Sequence, residues 1–463
     1  MALEPIIRSL QQMNPWWSTG RVPDWISPTY RRREFSDLMD ALQGRRIPVL
    51  AGIRRSGKTT LVHQSIGELI ARGVPPKDIV YASLDDFSFT GMGPEAIDLI
   101  LESHTAAVGA RAGEARYMFL DEVQNVSSWA KGVKVVWDRN DGTRPVVTGS
   151  SGLLIRGAVG ESLAGRATTI ELGPWELRDW SALCGVNVGC LPWKGLISGD
   201  EPVAFAGGAG AVESMRTALA PILPRYLLRG GLPEAAGAMP DVPYLRRLYE
   251  DVAERIIFRD IPTLYGIRQP EKLAQLMLLI ADRSGLPLAV DGTATALHSR
   301  HETVEDYIQF LLGSRTVLEL YPFGGSEFAR GRKLRKYYLG DTGLCNAVLH
   351  RDASLLADAT TMGAIAEEAT AIHLARLAAR HWGRLSYGPA VKGHEADFVL
   401  EQGGRTVVVE SKFRAHPRDE ELGSVAAYGR RIGADATVVV TRDDIGTVRG
   451  CTLVPLWLLL MTE

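Results

Sequence analysis

The first third of the chain alternates short apolar runs with longer helical patterns. Each run is bounded by turn residues, as expected for a buried strand. Between the first two runs, residues 59–72 form a helical pattern that stops at Gly73. Strands separated by helices form a parallel sheet covered on both faces, so the pattern predicts an α/β domain. The apolar runs cover residues 47–51, 79–84, 117–120 and 144–149.

Beyond about residue 270 the pattern changes to short amphipathic helices followed by strands. Apolar residues share one helical face in 273–281 and again in 304–312. Two strand candidates follow at 317–321 and 334–339, joined by a Gly-rich basic connection. Helices followed by a two-stranded wing are typical of a winged helix. A final α/β segment, beginning near residue 363, closes the chain.

The composition is that of a globular protein whose positive and negative charges nearly balance, so it has no strong overall electrostatic field. Hydrophobic residues make up 46% and charged residues 23%, and 52 Lys and Arg stand against 54 Asp and Glu. Any binding of nucleic acid or anionic membrane therefore needs a local patch. The longest apolar run, 453–461, is too short to span a bilayer, and the N-terminus lacks an apolar signal region.

Cysteine usage favours a reducing compartment. The chain contains 4 cysteines, and no two have the C-x-x-C spacing of a zinc or redox motif. Neither a zinc site nor a disulfide framework is indicated, so we expect a cytoplasmic protein that does not enter a membrane.

Residues 52–59 follow the pattern G-x-x-x-x-G-K-T directly after the first apolar run. The glycines permit a tight loop whose N–H groups point inward at phosphates, Lys58 reaches the β- and γ-phosphates, and the Thr59 hydroxyl ligates Mg²⁺. A strand enters this loop and a helix leaves it, so the motif predicts binding and hydrolysis of ATP. The predicted nucleotide-binding residues are Gly52, Arg54, Arg55, Ser56, Gly57, Lys58, Thr59 and Thr60.

Such a loop needs an acidic strand end to hold magnesium and activate water, and residues 117–122 supply it. Asp121 would position Mg²⁺, and Glu122 would orient and activate the attacking water. Ser150 and Ser151 follow the next apolar run, where a polar side chain could sense the γ-phosphate. Serine at a strand end is also a common turn residue, so both interpretations of this pair stay open.

Arg166 is a candidate arginine finger. A mobile cation offered to a neighbouring subunit's γ-phosphate lowers the barrier to transfer, whereas a lone arginine can equally be an ordinary surface residue. A finger that acts on a neighbour implies a homo-oligomer, and a ring is the expected form.

Several motifs together carry a family resemblance: 52–60, 120–124, 148–151, 163–166, 171–175 and 230–234. They resemble the archaeal and bacterial AAA-type ATPases that end in a nuclease-like domain of unknown function. The resemblance covers nearly the whole chain after about residue 40 and supports Arg166 as a finger. Trp175, where the family usually has a smaller apolar residue, and the Gly-rich insertion near Phe205 depart from its pattern.

The resemblance implies an AAA-type P-loop parallel sheet domain with a helical lid, a winged helix and a restriction-endonuclease-like α/β domain. We expect the following division of the chain: an N-terminal segment at 1–45, the ATPase domain at 46–175, the lid and connector at 176–265, the winged helix at 266–350 and the nuclease-like domain at 360–463.

The connection between the two wing strands is strongly basic. On a wing, its cations would lie against phosphates and give a salt-dependent, largely sequence-independent affinity for DNA. A solvated charged turn or a protein-contacting arm would have the same composition. The cations are Arg330, Arg332, Lys333, Arg335 and Lys336.

The last segment carries an acidic pair and a lysine on successive strand candidates. Asp397 and Glu410 would hold a divalent metal that polarises a phosphodiester, and Lys412 would stabilise charge or help to activate water. The set resembles the PD-(D/E)XK nuclease superfamily, and the resemblance adds Glu367 as a further acidic ligand. Domains of this fold also serve as scaffolds or DNA clamps without cleaving.

The leading hypothesis is therefore a cytoplasmic AAA-type ATPase that binds DNA, branched or forked forms included, and couples hydrolysis to its remodelling or processing. A second hypothesis is a nucleotide-switched regulatory or scaffold protein with little turnover. A third is an ATP-gated, metal-dependent DNA nuclease that works through the C-terminal segment.

Overall fold

The computed structural model describes residues 3–109, 116–150, 157, 160–324, 334–391 and 394–463. The chain forms two compact units. The first contains residues 1–173 and 313–315, and the second contains 174–312 and 316–463. Each unit has its own sheets and its own layers of helices.

The first unit is built on a parallel sheet, which confirms the α/β prediction. Within the described residues it has 5 strands in the order β2-β3-β4-β1-β5, each parallel to its neighbours. The carboxyl ends of all strands therefore meet at one edge. The strands are β1 (Ile47–Gly52), β2 (Ile79–Ser83), β3 (Arg116–Asp121), β4 (Thr143–Gly149) and β5 (Ala167–Leu172).

Helices cover both faces of this sheet, as the near-continuous burial of β1 requires. The helix after the P-loop begins at Lys58, one residue before the predicted start, and ends at Ala71. The helices are α1 (Leu3–Met13), α2 (Trp16–Thr19), α3 (Glu34–Gln43), α4 (Lys58–Ala71), α5 (Glu95–Val108) and α6 (Trp129–Asp138).

The N-terminal segment covers the edge of the sheet at β2. The Asn14 side chain donates to the Tyr81 carbonyl and accepts from the Tyr81 N–H, both at 2.7 Å. The indole N–H groups of Trp16 and Trp17 both donate to the Ile79 carbonyl. These bonds satisfy backbone groups that an edge strand would otherwise leave unpaired. Residues 1–45 are thus part of the first compact unit.

The second unit begins with helices and continues into a small sheet. Within the described residues, the elements between 270 and 339 follow the order helix, strand, helix, helix, strand, strand. In the described residues this sheet has 3 antiparallel strands in the order β6-β8-β7. Its elements are α14 (Pro270–Asp282), β6 (Pro287–Leu288), α15 (Val290–Ala296), α16 (His301–Gly313), β7 (Val317–Leu320) and β8 (Arg335–Leu339).

The helices that precede this segment are short and largely buried on one side. They are α7 (Leu177–Leu183), α8 (Lys194–Ser198), α9 (Pro202–Phe205), α10 (Ala209–Leu219), α11 (Leu223–Arg229), α12 (Asp241–Leu248) and α13 (Ile261–Tyr265). Between α12 and α13 the helix continues with wider turns over Tyr249–Glu254 and Ile256–Asp260.

A mixed sheet forms the rest of the second unit. In the described residues its 6 strands have the order β13-β14-β12-β11-β10-β9. The strands are β9 (Arg384–Val391), β10 (His394–Gln402), β11 (Arg405–Ser411), β12 (Ala436–Thr441), β13 (Gly446–Val448) and β14 (Cys451–Pro455). Its helices are α17 (Thr342–Val348), α18 (Ala359–Arg380), α19 (Asp419–Ile432) and α20 (Leu456–Leu459). Strands lie at all three predicted positions, around 397, 407–409 and 436–440.

Candidate functional site

The P-loop connects the carboxyl end of β1 to the first turn of α4. Arg55 and Gly57 both have left-handed backbone conformations, with φ of 64° and 92°. A Cβ atom on Gly52 would lie 2.2 Å from the Leu172 carbonyl oxygen of β5. Glycine is therefore needed at 52 for close approach of two strands, and it favours the turn at 57.

The Lys58 side chain lies inside this loop and is buried. Its Nζ donates to the carbonyls of Gly52 at 3.0 Å and Ile53 at 3.2 Å. The Ser56 hydroxyl is also buried and has no hydrogen-bond partner within the described residues. An ammonium group and an unmatched donor at a helix N-terminus fit the phosphates of a nucleotide.

Asp121, at the end of β3, is 2% exposed and accepts hydrogen bonds from several elements. Thr59 Oγ1 donates to its Oδ2 at 2.7 Å, and Tyr81 Oη donates to the same oxygen at 2.9 Å. The Thr148 hydroxyl and the Glu122 N–H donate to Oδ1. The structure thus brings together the predicted magnesium residues Thr59 and Asp121, whose hard oxygens are the ligands that Mg²⁺ prefers.

Glu122 follows directly in a left-handed conformation, with φ of 52°. Its Oε2 accepts from the Gln124 amide and, at 3.3 Å, from the Ser150 hydroxyl. Gln124 also donates to Ser150 at 3.1 Å. The predicted base Glu122 and the predicted sensor Ser150 are therefore in contact, while Ser151 lies outside the described residues.

Comparison with known families agrees with this geometry. Residues 44–180 match the family described as AAA domain. These residues form an AAA-type P-loop ATPase domain. Residues 221–355 match a domain of unknown function (DUF8612). The family of the AAA domain implies use of ATP and Mg²⁺.

Relatives of the chain are distant. One relative is an uncharacterized protein of Haemophilus influenzae. It is 23% identical over 307 residues, which cover 64% of this chain and 68% of that protein. An uncharacterized Mycobacterium tuberculosis protein is 24% identical over 397 residues, covering 84% of this chain and 75% of its own length. The names of these relatives assign no activity.

Among solved structures, the chain is similar to the Walker-type ATPase of Pyrococcus abyssi and to Cdc6p of Pyrobaculum aerophilum. The first is 13% identical with a TM-score of 0.41, covering 69% of this chain and 96% of that chain. The second is 15% identical with a TM-score of 0.26, covering 75% and 99%. Both scores are too low to bear on function.

Two residues that sequence reasoning missed surround Asp121 in the AAA domain. Burial, followed by the Asp121 charge, raises the pKa of Tyr81 well above its ordinary value, so Tyr81 keeps its proton and donates. Burial lowers the pKa of His63 to about 4, although Asp121 opposes the shift. The His63 ring lies 4.8 Å from the Tyr81 ring, measured between centroids. His63 and Tyr81 are therefore both neutral near pH 7.

Arg166 lies far from the P-loop of its own AAA domain. It precedes β5, and its carbonyl accepts from the Ile47 N–H at the amino end of β1. The register pairs Ile47 with Ala167 and Gly52 with Leu172. Five residues of strand, about 17 Å, therefore separate Arg166 from the loop. Its Nε lies 3.2 Å from Asp138 Oδ1. Arg166 is thus not part of the P-loop site of its own chain.

In the second unit, the predicted C-terminal residues converge. Lys412 Nζ lies 2.7 Å from Glu410 Oε1, and the Asp397 N–H donates to Glu410 Oε2 at 3.0 Å. Asp397 Oδ2 accepts from the Ser411 N–H at 2.8 Å. Glu367, on α18, accepts from Tyr338 Oη at 2.9 Å.

The carboxyl groups of this C-terminal cluster hold protons more tightly than usual. Burial and then the Asp397 charge raise the pKa of Glu367 to about 8 and that of Glu410 to about 7. Burial also raises the pKa of Asp397, which Lys412 opposes. Among the described residues, no group of three Asp, Glu, His or Cys side chains is arranged to hold a metal ion. The residues converge without forming a ready metal site.

The prediction that all five cations of the basic connection face phosphates is wrong for Arg335. Arg335 lies in β8 and pairs with Glu319 at 3.0 Å and Glu305 at 3.5 Å, because burial in the sheet demands a counter-ion. It is therefore not a phosphate-facing cation. Lys336 Nζ stacks 5.4 Å from the Tyr387 ring centroid. Arg330, Arg332 and Lys333 lie outside the described residues.

No helix in the described parts of the chain is both long and apolar enough to cross a membrane. Cys184, Cys190, Cys345 and Cys451 all lie in described segments, and none forms a disulfide.

Acid should destabilise the nucleotide-free AAA domain through His63. Its folded pKa of about 4 lies below the ordinary 6.5, so the stabilisation is present above about pH 6.5 and is lost as pH falls toward 4. Between pH 7 and 5 this amounts to about 2 kcal/mol. We expect His63→Gln to show a smaller pH-dependent drop in the urea midpoint than the wild type.

The exposed His416 provides the matched control, since His416→Gln should keep the full drop. Burial also lowers the pKa of His104 to about 4. The His63→Gln variant should therefore still show part of the pH-dependent drop in the urea midpoint, because His104 remains. An unchanged drop in His63→Gln would show that this histidine is not a source of acid sensitivity.

Proposed function

We propose that the protein is a DNA-binding AAA-type ATPase that couples ATP hydrolysis to remodelling or processing of DNA. The observation that carries the proposal is the contact between the P-loop and the acidic end of β3. Thr59 contacts Asp121, and Lys58 lies in the adjoining loop. Glu122 stands next to Asp121 and touches Ser150. The residues proposed for phosphate binding, metal binding and base catalysis thus lie at one edge of the sheet.

In the proposed mechanism, the loop N–H groups and Lys58 bind the β- and γ-phosphates. Thr59 and Asp121 would hold Mg²⁺, which neutralises the charge that develops on the phosphates. Glu122 takes a proton from the attacking water through a carboxylate oxygen. Gln124 and Ser150 orient that carboxylate by their hydrogen bonds, and Ser150 can also contact the γ-phosphate.

The proposal of DNA as partner is supported by the second unit. We interpret the described elements between 270 and 339, which follow the order helix, strand, helix, helix, strand, strand, as a winged helix whose last two strands flank the predicted basic connection. Arg330, Arg332 and Lys333 are the cations of this connection that we propose for phosphate contact, since Arg335 is paired inside the sheet. The acidic residues Glu302 and Glu305 of α16 disfavour that helix as a reader of base edges.

We also propose that the protein acts as a homo-oligomer, with a ring as the expected form, in the cytoplasm. The distance of Arg166 from its own P-loop supports a role for Arg166 in a neighbour's site. An exposed position at the start of β5 would let the guanidinium reach across an interface.

A second candidate function is metal-dependent cleavage of DNA by the C-terminal domain. It is favoured by the contacts that bring Asp397, Glu410 and Lys412 together, with Glu367 nearby. Such a domain would have a PD-(D/E)XK-like fold. A nucleotide-switched scaffold with little turnover is the remaining alternative.

The main proposal predicts that ATP turnover rises with DNA, most with forked or branched duplexes. A panel of single-stranded, duplex, forked and four-way DNA, with oligomer mass measured in parallel, provides the measurement. Lys58→Ala should lose nucleotide binding, and Glu122→Gln should bind ATP but turn it over about 100-fold more slowly. Tight ATP binding with turnover indifferent to every DNA would instead support the switch.

The shared-site proposal predicts complementation between two inactive variants. Arg166→Ala should lose about a thousandfold in turnover, whereas the exposed Arg139→Ala should retain the wild-type rate. Mixing Arg166→Ala with Glu122→Gln should restore part of the activity, because Glu122→Gln subunits supply the missing arginine to sites with an intact base. A mixture no more active than its components would contradict action between subunits.

The nuclease candidate predicts that Mg²⁺ or Mn²⁺ supports DNA cleavage by the wild type and that Lys412→Ala abolishes it. Arg442→Ala, which removes an exposed cation from the same domain, should cleave normally. If wild type and Lys412→Ala leave labelled DNA equally intact, with and without ATP, the nuclease candidate is wrong.

A further inference from the structure

Arg32 is a buried arginine between two exposed ones. It lies in the segment that joins α2 to α3 and is 7% exposed, whereas Arg31 and Arg33 face solvent. A buried guanidinium must be matched by an anion and by acceptors. The partners of Arg32 therefore reveal what this position does.

One side of the guanidinium pairs with Glu34. The Nε atom lies 2.6 Å from Glu34 Oε2, and Nη2 donates to Oε1 at 3.2 Å. This two-point pair neutralises the charge inside the N-terminal segment and fixes the plane of the guanidinium. The remaining N–H groups are thus held in one direction.

The other side reaches the P-loop. Nη1 donates to the Ser56 carbonyl at 3.1 Å, and Nη1 and Nη2 donate to the Gly173 carbonyl at 3.1 and 3.2 Å. Gly173 follows β5, the strand that pairs with β1. Arg32 therefore ties the phosphate loop to the end of the neighbouring strand.

The surrounding segment is held along the P-loop helix by further bonds. The Gln64 amide, on α4, donates to the carbonyls of Pro28 and Tyr30, both at 2.7 Å. Arg31 pairs with Glu68, one turn further along α4, at 2.7 Å. Residues 28–32 thus have a fixed course beside the helix, so Arg32 is presented to the loop by a rigid support.

The contact with Ser56 has a geometric consequence for the loop. In a planar trans peptide, the carbonyl and the following N–H point in opposite directions. Holding the Ser56 carbonyl toward Arg32 therefore turns the Gly57 N–H to the opposite side, away from the guanidinium. Inward N–H groups are what a phosphate-binding loop requires.

We propose that Arg32 is a positioning residue for nucleotide binding: it fixes the Ser56–Gly57 peptide so that the Gly57 N–H faces the phosphates. The inference rests on the proposed ATPase function and names a residue outside the P-loop motif that sets the loop's affinity. Arg32 does not touch the reacting atoms, so its loss weakens binding more than chemistry.

The test is the affinity for ATP and ADP, measured by titration of a fluorescent nucleotide, together with turnover at saturating ATP. Arg32→Ala should weaken binding about tenfold or more, with turnover at saturation within about threefold of the wild type. Arg32→Lys, which can reach one carbonyl, should recover part of the affinity. Arg33→Ala, an adjacent exposed arginine, should bind as the wild type does.

Glu34→Gln is a second, milder variant that tests the same inference if Arg32→Ala does not fold. It loosens the support of Arg32 without removing a loop contact, and should weaken binding in the same direction by a smaller factor. If Arg32→Ala and Glu34→Gln lower the urea midpoint but bind ATP as tightly as the wild type, the role is merely structural and the inference is overturned.

The outcomes separate this inference from the proposed function. A wild type that binds and hydrolyses ATP without any response to DNA would remove the DNA proposal and leave Arg32 testable by the same titration. A wild type that binds no nucleotide would overturn both. Normal affinity in Arg32→Ala would overturn the inference alone.

Discussion

The buried carboxylate of Asp121 is the constraint around which the nucleotide-binding unit is arranged. A carboxylate removed from water must be matched by donors, or its burial costs more than the fold can supply. Here the donors come from α4, β2, β4 and the next peptide, through Thr59, Tyr81, Thr148 and Glu122. One charge therefore fixes three strands and the P-loop helix relative to one another.

The P-loop is held from two sides by groups of opposite charge. Asp121 binds Thr59 at the start of α4, and Arg32 binds the carbonyl of Ser56, three residues earlier. Each charge is compensated within its own surroundings, Asp121 by neutral donors and Arg32 by Glu34. These contacts restrain the loop conformation, and a restrained loop needs less ordering when a ligand binds.

The parts of this fold that sequence reasoning could predict are those with local signals. Buried parallel strands appear as uninterrupted apolar runs, and the P-loop combines glycines and a lysine at fixed spacing. Strand β5 escaped prediction because Thr168, Thr169 and Glu171 make it alternate, as an edge strand does. Tyr81 and Arg32 escaped because their roles depend on partners far away in sequence, Asp121 and Gly173. The cluster of cations in the sequence suggested an exposed Arg335. Its ion pair with Glu319 could be recognised only from the register of the two strands.

The C-terminal cluster presents the opposite electrostatic situation to Asp121. There burial raises the pKa of Glu367, Asp397 and Glu410, and the Asp397 charge raises the pKa of the two glutamates further. Lys412 compensates part of this charge, and the raised pKa values of about 8 and about 7 mean that Glu367 and Glu410 bind protons near neutral pH. A cation bound between these groups would compete with those protons, so metal affinity at this cluster would rise with pH.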